Sequence, residues 1–470
     1  MIDGLRLLPA LALPWLAASL LLLRTWPAGA LGRWPGVLGA GYFLGMFGAV
    51  GILALMEAVW GGWHYGPTLM VLVVLAAAGM WLSRGALGKT GADRLDPEPG
   101  LTPWLRVALL VLIVLLAVRL GGLLLEVLLR PVYAWDAWYA WSYRARAFFE
   151  HGGSDAMISR GALLRGEDEG YHGGGMRHPP LVSMLQLWMA LALGRWHESL
   201  VNLPWFFAGL ALGAAVFGYL RRLGAGLLLA VLGSYLVLSV PLLNVHMALG
   251  GYADLWVTGA FGIAALALVA GLEQRRWQDA FVLLPLIVAL PLLKQAGMLF
   301  AAPLVLAALV GWLRPGSGLL LVALVGATIA ALVWTTGIQF DLPGLGRVIV
   351  EPGEVSLPRG GDFEWNPQWA EFAQRLWLDG SWHLLWWLLP LLLLLGIPRA
   401  WQEPGHRVLW VVTVAMVVMT LVVYGATRQA DYLMDGTGFS RHILPLTPVI
   451  AAWTVLLVAD WSGVRRRTDG

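Results

Sequence analysis

The stretch LLVLIVLLAVRLGGLLLEVLL (residues 109–129) runs directly into RPVYAWDAWYAW (residues 130–141). A membrane-spanning helix needs about 20 predominantly apolar residues, so the first part predicts a transmembrane helix. The second part places the carboxylate of Asp136 among tryptophans, where that helix leaves the membrane. Because an acidic group at a membrane is costly unless it has a role, this junction predicts a membrane fold and a functional loop.

The composition of the whole chain agrees with a membrane fold. Of its 470 residues, 59% are hydrophobic and 13% are charged, whereas a soluble domain carries about 25% charged residues. The formal net charge of +3 is too small to indicate nucleic-acid binding, and a chain without cysteine has neither disulfides nor thiolate metal sites. We therefore expect an all-α, polytopic helical membrane protein.

Hydropathy predicts about thirteen transmembrane helices. The first is interpreted as a retained helix, since no small-residue cleavage site clearly follows it. Extra helices in residues 1–103 precede a main membrane region, 104–461, and residues 462–470 form a cytoplasmic tail. The predicted spans are 7–23, 37–59, 67–83, 104–128, 200–220, 225–243, 252–272, 279–293, 296–313, 317–338, 382–398, 408–425 and 443–461.

Basic residues indicate how these spans are oriented. Three arginines, residues 465–467, follow the last span, and loops rich in Lys and Arg are normally cytoplasmic. Alternation then places loops 60–66 and 244–251, which have no Lys or Arg, on the outer side. The long loops 130–199 and 339–381 fall on the same outer side.

Two juxtamembrane helices are predicted in the outer loop 130–199. One carries three tryptophans whose i, i+3 spacing puts them near one face, suited to the lipid headgroups: Trp135, Trp138 and Trp141. The other, 181–193, is apolar but too short to cross, so we expect it to lie on the outer membrane surface. Loop 339–381 is acidic and rich in Pro and Gly, which predicts irregular structure.

Two aspartates are the first candidates for chemistry. Asp136 is interpreted either as a general base or a ligand for a divalent metal ion, or as the N-cap of a helix over residues 137–149. Asp254, in the sequence Tyr252-Ala253-Asp254, begins the predicted span 252–272 on the same outer side and allows the same alternatives. Together, two carboxylates in one outer cavity would form an acid/base or metal-binding pair.

Basic side chains on the outer side are the second group of candidates. Lys294 interrupts an apolar sequence and needs an anion, such as a lipid phosphate, or a route to the surface. Arg441, next to His442 and after Arg428, lies at the start of the final span. Its guanidinium would either bind a phosphate or anchor the helix end in the lipid headgroups. His178, after Arg177, either positions a substrate oxygen or merely closes a loop; no zinc-ligand spacing accompanies it.

With these residues in place, the chain resembles the GT-C class of integral membrane glycosyltransferases. Within that class it is most similar to the bacterial group related to protein O-mannosyltransferases and the lipid A aminoarabinose transferase. The chain departs from this group in two ways. It has extra N-terminal helices, and residues 294–297 are Lys-Gln-Ala-Gly where relatives often have Lys-Asn-Glu-Gly. The resemblance covers roughly residues 104–461 and rests on these motifs in order: Trp135-Asp136-Ala137-Trp138, His178-Pro179-Pro180-Leu181, Tyr252-Ala253-Asp254, Lys294–Gly297 and Arg441–Pro445.

The resemblance implies transfer of a sugar from a polyprenyl-phosphate carrier to a glycan, lipid or protein acceptor. The reaction would take place at the periplasmic face of the bacterial inner membrane. Asp136 would act as the base, and Asp254 as its helper or as a metal ligand. The remaining residues would contact substrate and stabilise the phosphate: Arg177, His178, Tyr252, Lys294, Arg428, Arg441 and His442.

Two questions stay open at this point. The class contains both carboxylate-base and metal-assisted members, so a divalent metal (Mg²⁺ or Mn²⁺) held by the two aspartates is an alternative; no other cofactor is expected. A lipid or polysaccharide transporter is the rival function. It would predict paired internal repeats and charges spread along a pathway, whereas no repeat is visible and the polar residues gather on the outer side.

Overall fold

The computed structural model describes residues 2–87, 101–166, 170–313, 367–427 and 429–465. Short pieces are described at 317, 328, 331–332, 335–342, 346–351, 354–357 and 361–362. Across these residues the chain is mainly helical, and eight helices are long and apolar enough to cross a membrane. The prediction of a polytopic helical membrane protein is therefore confirmed.

The helices before residue 195 include four of these long apolar elements. A π-helical turn lies at Ala137–Trp141, and 3₁₀ turns lie at Ser154–Ala156, Gly174–Arg177 and Leu200–Asn202. The α-helices are α1 (Ile2–Leu22), α2 (Arg33–Trp60), α3 (Tyr65–Leu87), α4 (Pro103–Leu129), α5 (Ser142–His151), α6 (Arg160–Arg165) and α7 (Leu181–Leu193).

Helices of the second half are more often broken. Further turns are the 3₁₀ segments Trp277–Asp279, Leu385–Trp387 and Leu444–Leu446 and the π segment Gln374–Leu378. The α-helices are α8 (Leu203–Arg222), α9 (Leu227–Leu238), α10 (Pro241–Ala248), α11 (Asp254–Glu273), α12 (Ala280–Leu293), α13 (Gly297–Trp312), α14 (Trp369–Ala373), α15 (Leu388–Leu395), α16 (Ile397–Gln402), α17 (Pro404–Ala426), α18 (Ala430–Met434), α19 (Phe439–Ile443) and α20 (Thr447–Trp461).

Several predicted spans take a different form in the structure. Span 225–243 is the pair α9 and α10, bent by 65°, with Pro241 opening the second helix. Spans 279–293, 296–313 and 382–398 correspond to shorter apolar helices. Span 317–338 lies largely outside the described residues. Thirteen crossings therefore remain a prediction.

The described residues of the second outer loop contain one small antiparallel sheet. Its strands are β1 (Ile338–Leu342), β2 (Gly346–Glu351), β3 (Glu354–Leu357) and β4 (Gly361–Asp362), and they pair in the order β1-β2-β3-β4. Phe340 pairs with Val348, and Val350 pairs with Val355. The expectation of irregular structure is wrong for this part, because most of the Pro and Gly residues that suggested it fall between the strands in the sequence and Gly361 belongs to a strand.

The helix α11 is the centre of the bundle. It packs against α8, α12, α13, α17 and α20, and all of its residues from Leu255 to Ala270 are buried. A helix that is apolar on every face suits such a central position. Its 20 residues span about 30 Å, so Asp254 and Glu273 mark opposite ends of the protein.

Ion pairs show which helix ends lie together. Arg465, after α20, contacts Glu273 at the end of α11, 2.5 Å away. At the opposite end, Lys294 and Arg441 both contact Asp254. The topology deduced from positive charge likewise placed Arg465 on the cytoplasmic side, and Asp254 and Arg441 on the outer side.

The helix α7 has the predicted bounds, but its position differs from the prediction. Most of its residues, from Val182 to Ala190, are buried between α5 on one side and α1 and α2 on the other. The Trp188 indole donates a hydrogen bond to the Ala10 carbonyl oxygen, 2.8 Å away. An apolar helix can thus face protein as well as lipid, and α7 is a structural layer beneath the outer loop.

The three tryptophans do not share one exposed face. Trp135 and Trp138 are exposed and their rings contact each other at a tilt, with centroids 5.2 Å apart. Trp141 is buried, 4.8 Å from the ring of His178. The expectation for Trp141 is wrong because residues 137–141 form a π turn, which has more residues per turn than an α-helix and shifts the phase.

Candidate functional site

Lys294 is positioned by the break between α12 and α13. The break has the predicted location: α12 ends at Leu293, Lys294 is extended, and α13 begins at Gly297. A Cβ at position 297 would lie 1.8 Å from the Leu290 carbonyl oxygen, so this tight break requires glycine. The Lys294 Nζ lies 2.8 Å from Oδ1 of Asp254.

Arg441 joins the two candidate carboxylates. From α19, its Nε lies 2.9 Å from Oδ2 of Asp254. One of its terminal nitrogens, Nη2, lies 2.8 Å from the same oxygen and 2.6 Å from Oδ2 of Asp136. Because the planar guanidinium offers several donors in a fixed arrangement, one side chain can hold both acids. Residues far apart in the sequence thus form one cluster: Asp136, Asp254, Lys294 and Arg441.

The two aspartates have different surroundings within this cluster. Asp254 is buried, with 4% of its side chain exposed, and each of its oxygens faces a cation. Asp136 has 32% of its side chain exposed and is the open member of the pair. Its backbone is helical and its side chain makes no capping hydrogen bond, which removes the helix-cap interpretation. Asp136 is therefore the carboxylate that an arriving molecule meets.

Tyr252 packs against the guanidinium of Arg441. The guanidinium lies over its ring, 4.8 Å from the centroid, a geometry that stabilises the cation. The Tyr252 hydroxyl hydrogen-bonds the backbone of Asp136, and burial, followed by the nearby Asp136 charge, raises the pKa of this phenol. The preceding Gly251 has φ +95°, and a Cβ there would lie 2.5 Å from that of Ala137. The two acidic motifs therefore pack directly on each other.

His178 lies at the edge of the cluster. Arg144, which sequence reasoning missed, donates to the His178 and Pro179 carbonyl oxygens at 2.6 and 2.7 Å. The imidazole rests on Trp141, and its buried Nδ1 has no hydrogen-bond partner among the described residues. Burial, together with the charges of Lys294 and Arg144, lowers the pKa of His178 to about 4. The ring is therefore neutral at physiological pH.

Two further histidines lie near the cluster. His442 is buried between the rings of Phe300 and Tyr424, at 5.0 and 5.4 Å, and makes no ion pair in the described part of the chain. His246, which sequence reasoning missed, is buried 5.1 Å from Tyr252. Across the described residues, neither of its ring nitrogens has a partner. Its only sequence signal was its position in a loop without Lys or Arg.

Two candidates cannot be placed. The backbone of Arg177 belongs to a 3₁₀ turn, but its side chain lies outside the described part of the structure. Arg428 lies outside the described residues altogether. The remaining candidates from the sequence are all found in or around one cluster.

The two aspartates do not fit a metal ion as they are arranged. Both oxygens of Asp254 and Oδ2 of Asp136 face Lys294 or Arg441, so buried Asp254 offers no free oxygen with which the two aspartates could share a cation. In the described chain, the one group of three ligand-type side chains within 4.8 Å of one another is Glu403, His406 and Asp460. That group lies around Arg465, at the opposite end of the bundle.

The cluster is balanced in charge, with two carboxylates and two cations, and open on the Asp136 side. An incoming phosphate would compete with Asp136 for Arg441, since guanidinium groups bind carboxylates and phosphates with the same geometry. Such an exchange would free the Asp136 carboxylate beside a bound phosphate. No family model, curated protein or solved structure matches this chain.

Proposed function

We propose that this protein is a GT-C-like glycosyltransferase that moves a sugar from a polyprenyl-phosphate carrier to an acceptor hydroxyl. One observation carries the proposal: Arg441 and Lys294 converge on buried Asp254, while Arg441 also holds the more exposed Asp136. Two cations suit an anionic leaving group, and an open carboxylate suits a base. The acceptor would be an envelope glycan, lipid or protein.

The proposed reaction needs only these groups. The acceptor oxygen forms a bond to the anomeric carbon while the bond from that carbon to the phosphate oxygen breaks. The acceptor proton goes to the Asp136 carboxylate, and the leaving electron pair goes to the phosphate. Lys294 and Arg441 stabilise the charge on the phosphate, so no proton has to be supplied to the leaving group. Asp254 acts as a positioning residue that fixes both cations.

The location of the cluster fits a substrate carried by a lipid. The break that presents Lys294 lies between two apolar helices, α12 and α13, whose outward residues, such as Val288 and Leu299, are exposed hydrophobics. A polyprenyl chain could lie along this surface with its phosphate at the cluster. The positive charge on the opposite end of the bundle supports a periplasmic position for the site in a bacterial inner membrane.

A lipid or polysaccharide transporter is the competing function, but the interior disfavours it. A transport pathway needs polar groups through the membrane. The charged clusters lie at the two ends of α11, and between them this helix is buried and apolar apart from Thr258, whose hydroxyl donates to the Asp254 carbonyl oxygen. This arrangement favours a surface reaction over passage through the bundle.

Deletion of the gene in its host tests the proposal. The strain is restored with wild type, with Asp136→Asn or with Asp155→Asn, and envelope glycolipids are compared by mass spectrometry. The deletion and Asp136→Asn strains should accumulate a polyprenyl-phosphate sugar and lack one sugar from an envelope glycan. Asp155 is a matched control, because this exposed acid of the same loop pairs only with His151 among the described residues.

The outcomes separate the two functions. If Asp136→Asn restores what wild type restores, Asp136 is not the base and the transferase proposal falls. A transporter defect would instead leave a complete lipid-linked glycan stranded on the cytoplasmic side. The Asp155→Asn strain should match wild type in either case.

A further inference from the structure

A cavity lies against helix α5 and the residues that follow Asp136, since Trp138, Tyr139 and Ser142 line it. Its volume is about 400 Å³, within the usual range of small-molecule sites, roughly 300–1,000 Å³. The cavity contains four aromatic side chains together with a base and an acid. These lining residues are Trp138, Tyr139, Tyr143, Trp196, Arg146 and Glu198.

The aromatic wall is held in shape by a glycine-rich segment. A Cβ at Gly174 would lie 2.0 Å from the ring of Tyr139, and one at Gly173 would lie 2.8 Å from the ring of Tyr143. Only glycine lets this backbone lie so close to the two rings. The glycine backbone therefore packs against the rings of Tyr139 and Tyr143. Half of Tyr139 and more than half of the neighbouring Trp138 remain exposed.

The polar side of the cavity is a connected group. The Trp196 indole donates to Oε1 of Glu198 at 2.7 Å, and a guanidinium nitrogen of Arg146 lies 3.6 Å from the same oxygen. Arg146 also pairs with Glu150 at 2.7 Å. These groups are partly exposed, so they can exchange water for the hydroxyl groups of a ligand.

Ser142 connects this cavity to the cluster. It lines the cavity, yet its Oγ is buried and has no partner among the described residues. On its other side it meets Gly251, where a Cβ would lie 2.6 Å from that Oγ. Tyr252 follows Gly251, and the Arg441 guanidinium lies over its ring, so Ser142 and this backbone connect the cavity to the cluster.

The lining identifies the chemistry of the ligand. Aromatic faces pack on the C–H faces of a pyranose ring, and charged or polar groups at the edge hydrogen-bond its hydroxyls. A lipid tail would not need Arg146 and Glu198. We propose that this cavity binds the saccharide unit of the acceptor. This inference rests on the proposed function and deepens it, because it names the acceptor class as a sugar-bearing molecule.

Saturation-transfer NMR on the full chain in nanodiscs tests the cavity with methyl pyranosides of gluco, manno and galacto configuration. The wild type should transfer saturation to the ring C–H protons of at least one of them. Trp138→Ala and the near-isosteric Glu198→Gln should each reduce this transfer by at least threefold. Trp60→Ala is the matched control, since Trp60 is equally exposed but lies outside the cavity.

The outcomes distinguish this inference from the proposed function. Equal transfer to the wild type, Trp138→Ala and Glu198→Gln, or no transfer from the wild type to any pyranoside, overturns the saccharide site. The two proposals fail separately, because the NMR experiment measures binding whereas the deletion strain measures transfer. If Trp138→Ala and Glu198→Gln lose the pyranoside signal while the Asp136→Asn strain has a normal envelope, the saccharide site stands and the transferase proposal fails.

Discussion

Arg441 lies 2.6 Å from Oδ2 of Asp136, and the same guanidinium contacts Oδ2 of buried Asp254 at 2.8 Å. Guanidinium groups bind carboxylates and phosphates with the same geometry. A donor phosphate that binds Arg441 would therefore compete with Asp136 for this side chain. Donor binding would then leave the proposed base free beside the donor.

The two aspartates should respond differently to the same substitution. Asp136→Asn should lower transfer by about 100- to 10,000-fold, as expected for a lost base, with little change in thermal stability. Asp254→Asn removes the buried partner of two cations and should cost about 3–5 kcal/mol of folding stability. Melting temperatures and product assays on both purified variants check this. An unchanged melting temperature for Asp254→Asn contradicts its positioning role.

Arg441→Lys should fail although it keeps the charge. Arg441 holds Oδ2 of Asp254 through both Nε and Nη2, and Nη2 also contacts Asp136; a single ammonium cannot reproduce this planar two-nitrogen arrangement. We expect transfer to fall at least about tenfold, measured with a polyprenyl-phosphate sugar as donor. Lys294→Arg is the comparison, because Lys294 makes a single contact with Asp254; it should lose less. Equal losses would mean that only the charge at each position matters.

The sequence was sufficient to predict a helical membrane protein and the break at Lys294, and four of its candidate residues, Asp136, Asp254, Lys294 and Arg441, meet in the structure. Apolar runs and intramembrane charges carry strong physical signals, since both are costly to place elsewhere. The burial of α7 was not predictable from them. Lipid tails are as apolar as a leucine side chain, so hydropathy does not distinguish a helix facing lipid from one facing protein.

Contacts between residues that are distant in the sequence could not be predicted either. Nothing in the spacing of Asp136 and Arg441 pairs them, and the pairing arises only when α19 meets the start of the outer loop. The π turn at residues 137–141 moved Trp141 into the interior, because an α-helical phase no longer applies. Buried His246 gave little signal, since a lone histidine between apolar residues is typical of many loops.

His178 should make the stability of the protein depend on acidity. Its pKa in the folded protein is about 4, against 6.5 for the free side chain. Between these values the unfolded chain binds more protons, so stability rises with pH from about 4 to 6.5 and is lost as pH falls through that window. His178→Gln should reduce this dependence in melts recorded from pH 4 to 7, while the buried His246 and His442 leave a remaining slope. A slope unchanged by the substitution contradicts the assignment.

Arg465 should be a structural residue at the far end of the bundle. It contacts Glu273, Asp460 and Glu403 and is almost completely buried. Arg465→Met would leave these acids facing one another and should cost about 3–5 kcal/mol of stability. Arg195→Met is the control, since Arg195 and Asp3 form an exposed pair worth about 0–1 kcal/mol. Similar melting temperatures for the two variants would contradict the structural role of Arg465.

Gly251→Ala should separate the two acidic motifs without removing any functional group. Its Cβ would lie 2.5 Å from that of Ala137 and 2.6 Å from Oγ of Ser142, and overpacking of this kind costs about 1–3 kcal/mol. The helix carrying Asp136 must then move away from Tyr252 and Arg441, so transfer should fall further than stability does. Gly152→Ala is the matched control, because Gly152 also has a positive φ, +86°, but no atom lies within 4 Å of the added Cβ. Product assays and melts on both variants separate the effects. If Gly251→Ala behaves like Gly152→Ala, backbone strain alone explains the loss and close packing of the motifs is not required.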